Sequence, residues 1–133
     1  MDVYLHRAGL ERVFVRRMPV GLGRDDLTPV GRWRVGAKLV RDVYYPAPNS
    51  PNRGKPIAYG QPGYAFGAKG LWISLEGADE NTAGQTGYGI HSTDKPESVG
   101  RDESEGCIRL KDDDIELLFS LLYERESTVE IRP

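Results

Sequence analysis

The sequence predicts a mainly β domain with a single helix near its C-terminal end. Glycine and proline are abundant, with 16 and 9 residues among 133, and they are spread along the whole chain. This distribution favours many turns and short strands. Alternating apolar and polar residues recur in several short segments, whereas the spacing of an amphipathic helix occurs only once. The length fits one domain, so we expect residues 1–133 to form a single unit.

The first part of the chain is predicted to form three strands. Residues 3–17 hold two alternating segments separated by a turn at Ala8-Gly9, which is the pattern of a β-hairpin. Thr28-Pro29-Val30-Gly31 is a turn sequence, and residues 32–40 are predicted to follow it as the third strand.

A long loop and two further strands are predicted for the middle of the chain. Residues 44–67 contain five prolines, and a loop of this length in a small domain is often functional. Residues 71–75 read as a short apolar strand. Residues 84–91 alternate glycine with larger side chains and predict a strand that ends at His91. Glycines in a strand indicate close approach of another chain segment or a ligand.

The one predicted helix lies shortly before the C-terminal end. Its apolar residues recur with the spacing i, i+3, i+4 and i+7, which places them on one helical face. They are Ile115, Leu118, Phe119 and Leu122. Asp112 or Asp113 is expected to cap the start of this helix, where acidic groups also complement the helix dipole. Residues 127–131 are predicted to form a closing strand.

The composition argues against several functional classes. The formal net charge of -2 provides no basic surface for nucleic acid. The chain has no run of about 18 apolar residues, so no membrane span is predicted, and its first residues lack the apolar region of a secretory signal. With one cysteine and two histidines, neither an intramolecular disulfide nor a metal site is expected.

Cys107 is the candidate nucleophile. It lies just before the predicted helix, where the local field favours the reactive thiolate. Gly106 permits a sharp turn, so that successive N–H groups point at one oxyanion. His91 ends a different predicted strand and is the candidate base. A purely structural interpretation also remains open, in which Cys107 is a small buried apolar residue and His91 is a core histidine.

Three segments resemble, in order, the motifs of the L,D-transpeptidase (YkuD-type) catalytic domain. They are Thr28-Pro29-Val30-Gly31-Arg32-Trp33, Gly87-Tyr88-Gly89-Ile90-His91-Ser92-Thr93 and Ser104-Glu105-Gly106-Cys107-Ile108-Arg109-Leu110. The resemblance extends from about Val3 to Ile131. It implies a β-sandwich-like fold with one helix following a catalytic cysteine, which attacks a peptide carbonyl of bacterial cell-wall stem peptide.

The same resemblance assigns roles to individual residues. Cys107 would be the nucleophile and His91 the general base. The backbone carbonyl of Ser92 would orient the His91 ring, and the N–H groups of Gly106 and Cys107 would stabilise the oxyanion. Arg109 would order the active-site loop.

Four further residues are predicted to contact substrate, namely Ser104, Glu105, Tyr88 and Tyr64. Glu105 stands where the family signature has its second histidine, and a carboxylate at this position would oppose thiolate formation. Tyr64 belongs to the proline-rich loop, where it would line a lid over the donor peptide. Packing of this tyrosine onto the sheet is an equally good expectation.

The resemblance implies a two-step acyl transfer. The Cys107 thiolate attacks an L,D-peptide bond of a donor tetrapeptide, and the D-Ala product leaves with a proton from His91. An amine then resolves the thioester, which gives a 3-3 cross-link or anchors a protein. No cofactor or metal is required, and carbapenems are expected to acylate Cys107.

Two alternatives to acyl transfer remain. Hydrolysis of the same bond would make the protein an L,D-carboxypeptidase, and loss of activity would leave a non-catalytic cell-wall-binding module. The substrate implies a periplasmic or extracellular, cell-wall location, with any export signal outside this chain.

Overall fold

The computed structural model describes residues 1–6, 8–48 and 50–133. Arg7 and Asn49, which fall in the predicted hairpin and in the predicted long loop, lie outside the described residues. The described part of the chain forms nine strands and one α-helix. They are β1 (Asp2–Leu5), β2 (Val13–Arg17), β3 (Leu22–Gly23), β4 (Gly31–Val40), β5 (Leu71–Gly77), β6 (Gly89–Ser92), β7 (Asp102–Ser104), β8 (Ile108–Leu110), α1 (Asp112–Leu121) and β9 (Thr128–Ile131).

Five strands form the main sheet, in the order β8-β6-β5-β4-β9. All neighbours in it are antiparallel except β6 and β8, which run parallel. Two smaller sheets flank it, one from the antiparallel pair β1–β2 and one from the parallel pair β3–β7. The prediction of a mainly β domain with one helix after Cys107 is confirmed.

The helix packs its apolar face onto the main sheet. Ile115 and Leu118 are almost wholly buried, together with Ile73 of β5 and Ile90 of β6. The predicted capping is wrong, because Lys111 occupies the N-cap position in an extended conformation and makes no side-chain capping bond. The neighbouring acidic residues, Asp112 included, lie inside the first turn, where their charge complements the helix dipole.

One predicted strand is shorter than expected, and the structure contains three short strands that the sequence pattern does not predict. The strand predicted over residues 84–91 begins only at Gly89, because Gly84 and Gly87 have φ angles of 75° and 80° that turn the chain. The short strands β3, β7 and β8 were not predicted. The long loop is confirmed, and within it Tyr44 and Ile57 form a single antiparallel bridge.

In the part of the chain that the structure describes, no helix combines the length and the apolar character of a bilayer-spanning segment.

Candidate active site

The pairing of β6 with β8 brings Cys107 beside the start of β6. In this parallel pair Ile90 lies opposite Ile108 and His91 lies opposite Arg109, so Cys107 immediately precedes the paired segment. The thiol donates to the carbonyl oxygen of Gly87 at 3.6 Å. The Gly89 N–H donates to the sulphur. The thiol therefore contacts the backbone of residues 87–89, the segment that leads directly into His91.

His91 is held in one orientation. The residue is 5% exposed, and its Nδ1 hydrogen-bonds the carbonyl oxygen of Ser92. A carbonyl oxygen only accepts, so Nδ1 carries the proton and Nε2 carries the lone pair in the neutral ring. Trp72, opposite His91 in β5, stacks on the imidazole with centroids 5.6 Å apart and planes at 18°. Phe66 packs at 5.0 Å, so two aromatic side chains fix the ring.

Gly89 makes this stacking possible. A Cβ atom at this position would lie 2.4 Å from the Trp72 ring. Such a distance is far below van der Waals contact, so any side chain here would displace the indole. Gly89 therefore has two roles: it leaves room for Trp72 to stack on His91, and its N–H donates to the thiol sulphur.

Burial favours the neutral form of both candidate catalytic groups. It lowers the pKa of His91 to about 4; the Ser92 hydrogen bond opposes this and the positive Arg109 reinforces it. Cys107 keeps part of its surface exposed, yet desolvation by surrounding protein atoms raises the pKa of its thiol to about 11. The Gly89 N–H and the Arg109 charge both act to lower that pKa. Near neutral pH the site therefore holds a thiol and an uncharged imidazole.

Internal hydrogen bonds shape the loop that carries Cys107. Ser104 Oγ donates to the Cys107 carbonyl at 2.6 Å and accepts the Gly106 N–H at 3.1 Å. The predicted role of Gly106 as an oxyanion donor conflicts with this bond, because its N–H is already engaged. Ser104 is 2% exposed, so it stabilises the loop from within instead of facing a substrate as predicted.

The two tyrosines predicted to contact substrate differ in their placement. Tyr88 is half-buried beside Gly106, whose φ of 123° and lack of a side chain leave room for the ring. An added Cβ on Gly106 would lie 2.8 Å from Tyr88. Tyr64 is only 7% exposed, and its hydroxyl donates to the Asp42 carbonyl at 2.7 Å. Tyr64 therefore packs the long loop against the domain, as the second expectation had it.

Several residues that shape the site were missed by the sequence analysis. Trp72 carries no sequence signal, since its contact with His91 depends on strand register. Tyr44 lies within electrostatic reach of Cys107: burial raises the pKa of its phenol, and a thiolate would raise it further. Glu105 is paired with Arg24 at 3.0 Å, a contact between residues far apart in sequence.

A cleft of about 260 Å³ has Gly87 in its lining, and the carbonyl oxygen of Gly87 accepts the hydrogen bond of the Cys107 thiol. Apolar and aromatic side chains form most of its wall, and one carboxylate joins them. The other lining residues are Leu39, Asp42, Val43, Tyr45, Phe66 and Trp72. Among the described residues, no group of three or more His, Cys, Asp or Glu side chains is arranged to hold a metal ion.

Comparison with known proteins gives a family match over almost the whole chain. The YkuD family model, described as the L,D-transpeptidase catalytic domain, matches residues 4–131. YqjB of Bacillus subtilis, whose name places it among L,D-transpeptidases, is 37% identical over 98 residues, which are 74% of this chain and 48% of YqjB. YcfS of Escherichia coli, named likewise, is 33% identical over 122 residues, or 90% of this chain and 38% of YcfS. The chain thus spans less than half the length of these relatives.

A solved structure shares the fold. L,D-transpeptidase 3 from Mycobacterium tuberculosis, in complex with a faropenem-derived adduct, superimposes with a TM-score of 0.60 at 19% identity. The match covers 97% of this chain and 48% of that protein.

Proposed function

This chain belongs to the family of L,D-transpeptidase (YkuD) catalytic domains, and on that premise we propose that it is a cysteine acyltransferase acting on peptidoglycan stem peptides. Cys107 is the nucleophile and His91 the general base. The observation that carries this assignment is the orientation of His91, whose Nδ1 is held by the Ser92 carbonyl while Nε2 keeps its lone pair. A base oriented in this way, on the strand that pairs with the segment following Cys107, supports a role in accepting the thiol proton during attack.

The first step forms a thioester. Because the thiol pKa is about 11 and the imidazole pKa about 4, neither group is charged at neutral pH. His91 Nε2 accepts the thiol proton as the sulphur attacks the carbonyl carbon of an L,D-peptide bond. The C–N bond then breaks, and the departing D-Ala amine takes the proton back from His91. This leaves an acyl group on Cys107 and a neutral imidazole.

The second step transfers the acyl group. An amine from another stem peptide or from a protein attacks the thioester, His91 removes the proton of the amine, and the thiol is regenerated. The Cys107 N–H is the oxyanion donor we retain, since the Gly106 N–H is occupied by Ser104. Arg109 lies opposite His91, where its positive charge stabilises the thiolate character of the attacking sulphur.

The cleft lined by Gly87 is the proposed binding place for part of the donor. Its aromatic side chains suit the aliphatic portion of a stem peptide, and Asp42 adds one charged group to the lining. Tyr88 and Glu105 remain the proposed substrate contacts outside this cleft. Stem peptides of this kind lie outside the cytoplasmic membrane, so we place the protein in the periplasm or cell wall.

Turnover of a defined disaccharide tetrapeptide tests the proposal. Wild-type protein should release D-Ala and yield a cross-linked dimer by mass spectrometry, whereas a tripeptide product would identify water as the acceptor. Cys107→Ala should abolish turnover, and His91→Gln should reduce it by about 100-fold or more. His6→Gln is the matched control, because His6 is exposed and outside the site, and it should match wild type.

Two results would contradict the proposal. One is substantial tetrapeptide turnover by Cys107→Ala. The other is the absence of a carbapenem adduct on wild-type protein in intact-mass spectra after long incubation, since acylation by such a donor analogue needs only the nucleophile and its base.

A further inference from the structure

The end of the long loop is fastened to the residue that follows the proposed base. Phe66 is 8% exposed, and its carbonyl oxygen accepts a hydrogen bond from the hydroxyl of Ser92, which is fully buried. The backbone carbonyl of the same serine accepts the Nδ1 proton of His91. Ser92 therefore binds the base through its backbone and the loop through its side chain.

A ring contact closes this connection into a cycle. The centroids of the Phe66 and His91 rings are 5.0 Å apart, so the residue that accepts the Ser92 hydroxyl also covers the imidazole. Three links thus join three residues: His91 to Ser92, Ser92 to Phe66, and Phe66 back to His91. Residues that share one such network are energetically coupled, so loss of one link weakens the others.

The chain after Phe66 packs directly on the backbone after Ser92. Gly67 has a φ angle of 67°, and a Cβ atom at this position would lie 2.9 Å from the carbonyl oxygen of Thr93. A side chain here would push the two segments apart. Residues 66–67 and residues 92–93 are therefore in contact at two successive positions, and the Ser92 hydroxyl is a polar link between them.

Phe66 belongs to the loop, to the cleft and to the support of the base. Tyr44 and Tyr64 pack edge-on against its ring, with centroids 5.2 and 5.5 Å away. Phe66 also lines the cleft that we propose for the donor, together with Trp72. Both of these cleft residues contact His91. A molecule in the cleft would therefore touch the side chains that hold the base.

We propose that Ser92 is a positioning residue whose hydroxyl holds Phe66, and with it the end of the long loop, against His91 and so keeps the imidazole proton on Nδ1. The proposal rests on the proposed function of His91. In a competing explanation the hydroxyl bonds Phe66 only because a buried polar group needs a partner. The two explanations differ in what happens to the imidazole when the hydroxyl is removed.

Nuclear magnetic resonance of the 15N-labelled protein near neutral pH reports which imidazole nitrogen carries the proton, and it needs no substrate. His6→Gln identifies the signals of the second histidine. Wild type should show His91 as the Nδ1–H tautomer, because a carbonyl oxygen binds that proton. Ser92→Ala should give a mixture of both tautomers, since Phe66 no longer holds the ring. Phe66→Leu, which removes the ring and keeps the backbone carbonyl, should do the same.

The double variant tests whether the three residues form one network. Ser92→Ala and Phe66→Leu break different links of the same cycle, so the tautomer ratio of the double variant should be close to that of the more affected single variant. Independent contributions would instead multiply.

Turnover of the disaccharide tetrapeptide gives a second readout. Ser92→Ala should lower kcat about tenfold with little change in KM, because the base is misplaced while the cleft keeps its lining residues. Phe66→Leu should lower kcat and also raise KM, since its ring lines the cleft.

Ser98 and Phe119 provide matched controls. Ser98 is 1% exposed and its hydroxyl donates to the Lys95 carbonyl at 2.7 Å, so Ser98→Ala removes a similar buried bond outside the site. Phe119→Leu repeats the phenylalanine change on α1. Both controls should keep a single His91 tautomer and the wild-type kcat. Ser92→Ala and Ser98→Ala should lower the unfolding midpoint by similar amounts, because each loses one buried hydrogen bond.

Four results would overturn the inference. They are a single Nδ1–H tautomer in Ser92→Ala, an equal tautomer change in Ser98→Ala, independent effects in the double variant, and a kcat of Ser92→Ala equal to that of an active wild type. If Ser92→Ala does not fold, Phe66→Leu decides, and a single Nδ1–H tautomer in that variant is then the contrary result. Mixed tautomers in the variants of a protein that leaves tetrapeptide unchanged would support the positioning role and contradict only the proposed reaction.

Discussion

Acidification should destabilise this protein through His91. The imidazole is buried in the folded state, where its pKa is lowered from 6.5 to about 4. Between these two values the unfolded chain binds a proton that the folded protein does not. Stability contributed by the neutral ring is therefore fully present above pH 6.5 and is lost as the pH falls towards 4.

The size of the loss follows from the two pKa values. Each pKa unit corresponds to about 1.4 kcal/mol of free energy. Linkage then gives a loss of about 2 kcal/mol by pH 5 and about 3 kcal/mol by pH 4. These values are large compared with the total stability of about 5–15 kcal/mol that is typical of a domain.

Urea unfolding at a series of pH values isolates this contribution. His91→Gln removes the titrating group, and carboxylates that also titrate in acid, such as Asp79, are common to both proteins. The free energy of unfolding of wild type should therefore fall about 2 kcal/mol further than that of His91→Gln between pH 7.5 and pH 5. His6→Gln, with an exposed histidine replaced, should follow wild type. A pH-independent difference between wild type and His91→Gln would refute the reasoning.

Two substitutions test the packing around the site. Thr28→Val removes the hydroxyl that joins Gly23 to Gly106, leaves two buried backbone groups without that partner, and should cost about 3 kcal/mol in urea unfolding. Thr128→Val on the exposed position of β9 is its control, and a loss below about 0.5 kcal/mol at Thr28 would contradict the assignment. Gly89→Ala should displace Trp72 from His91, change the near-ultraviolet circular dichroism and reduce tetrapeptide turnover; unchanged turnover would count against the support role of Trp72.

The longer strands and the helix were predictable from the sequence. The helix was predicted from four apolar residues on one face, and Ile115 and Leu118 of that set are buried as expected. The strands over residues 31–40 and 71–77 have enough residues for their apolar pattern to be visible. Such segments bury a continuous face, so their pattern reflects the structure directly.

The shortest strands were beyond such reasoning. β3 has two residues, and β7 and β8 have three each, which is too few for alternation to be recognised. Their existence depends on pairing between distant segments. The contact of Trp72 with His91 and the ion pair of Arg24 with Glu105 have the same origin, since each follows from register. A sequence gives residue types at a site but does not give register without the partner strand.

The candidate site illustrates how this limit affects function. Gly106 and Cys107 are recognisable from their own segment, because a glycine, a thiol and the start of a helix are local features. His91 is recognisable in the same way at the end of its predicted strand. The electrostatic setting of the thiol is not local, since the Gly89 N–H of β6 and the positive charge of Arg109 of β8 both act to lower its pKa.

A neutral resting pair changes what the surrounding charges do. In the proposed reaction, thiol and imidazole are uncharged before attack, and charge develops only as the proton moves to His91 and the sulphur bonds to carbon. Fixed charges near Cys107 therefore act mainly on the transition state, where the sulphur and the oxyanion are partly negative. Arg109 favours that state through its positive charge. The same burial that makes His91 a neutral base near pH 7 also makes the folded domain sensitive to acid, so reactivity and acid stability depend on one buried ring.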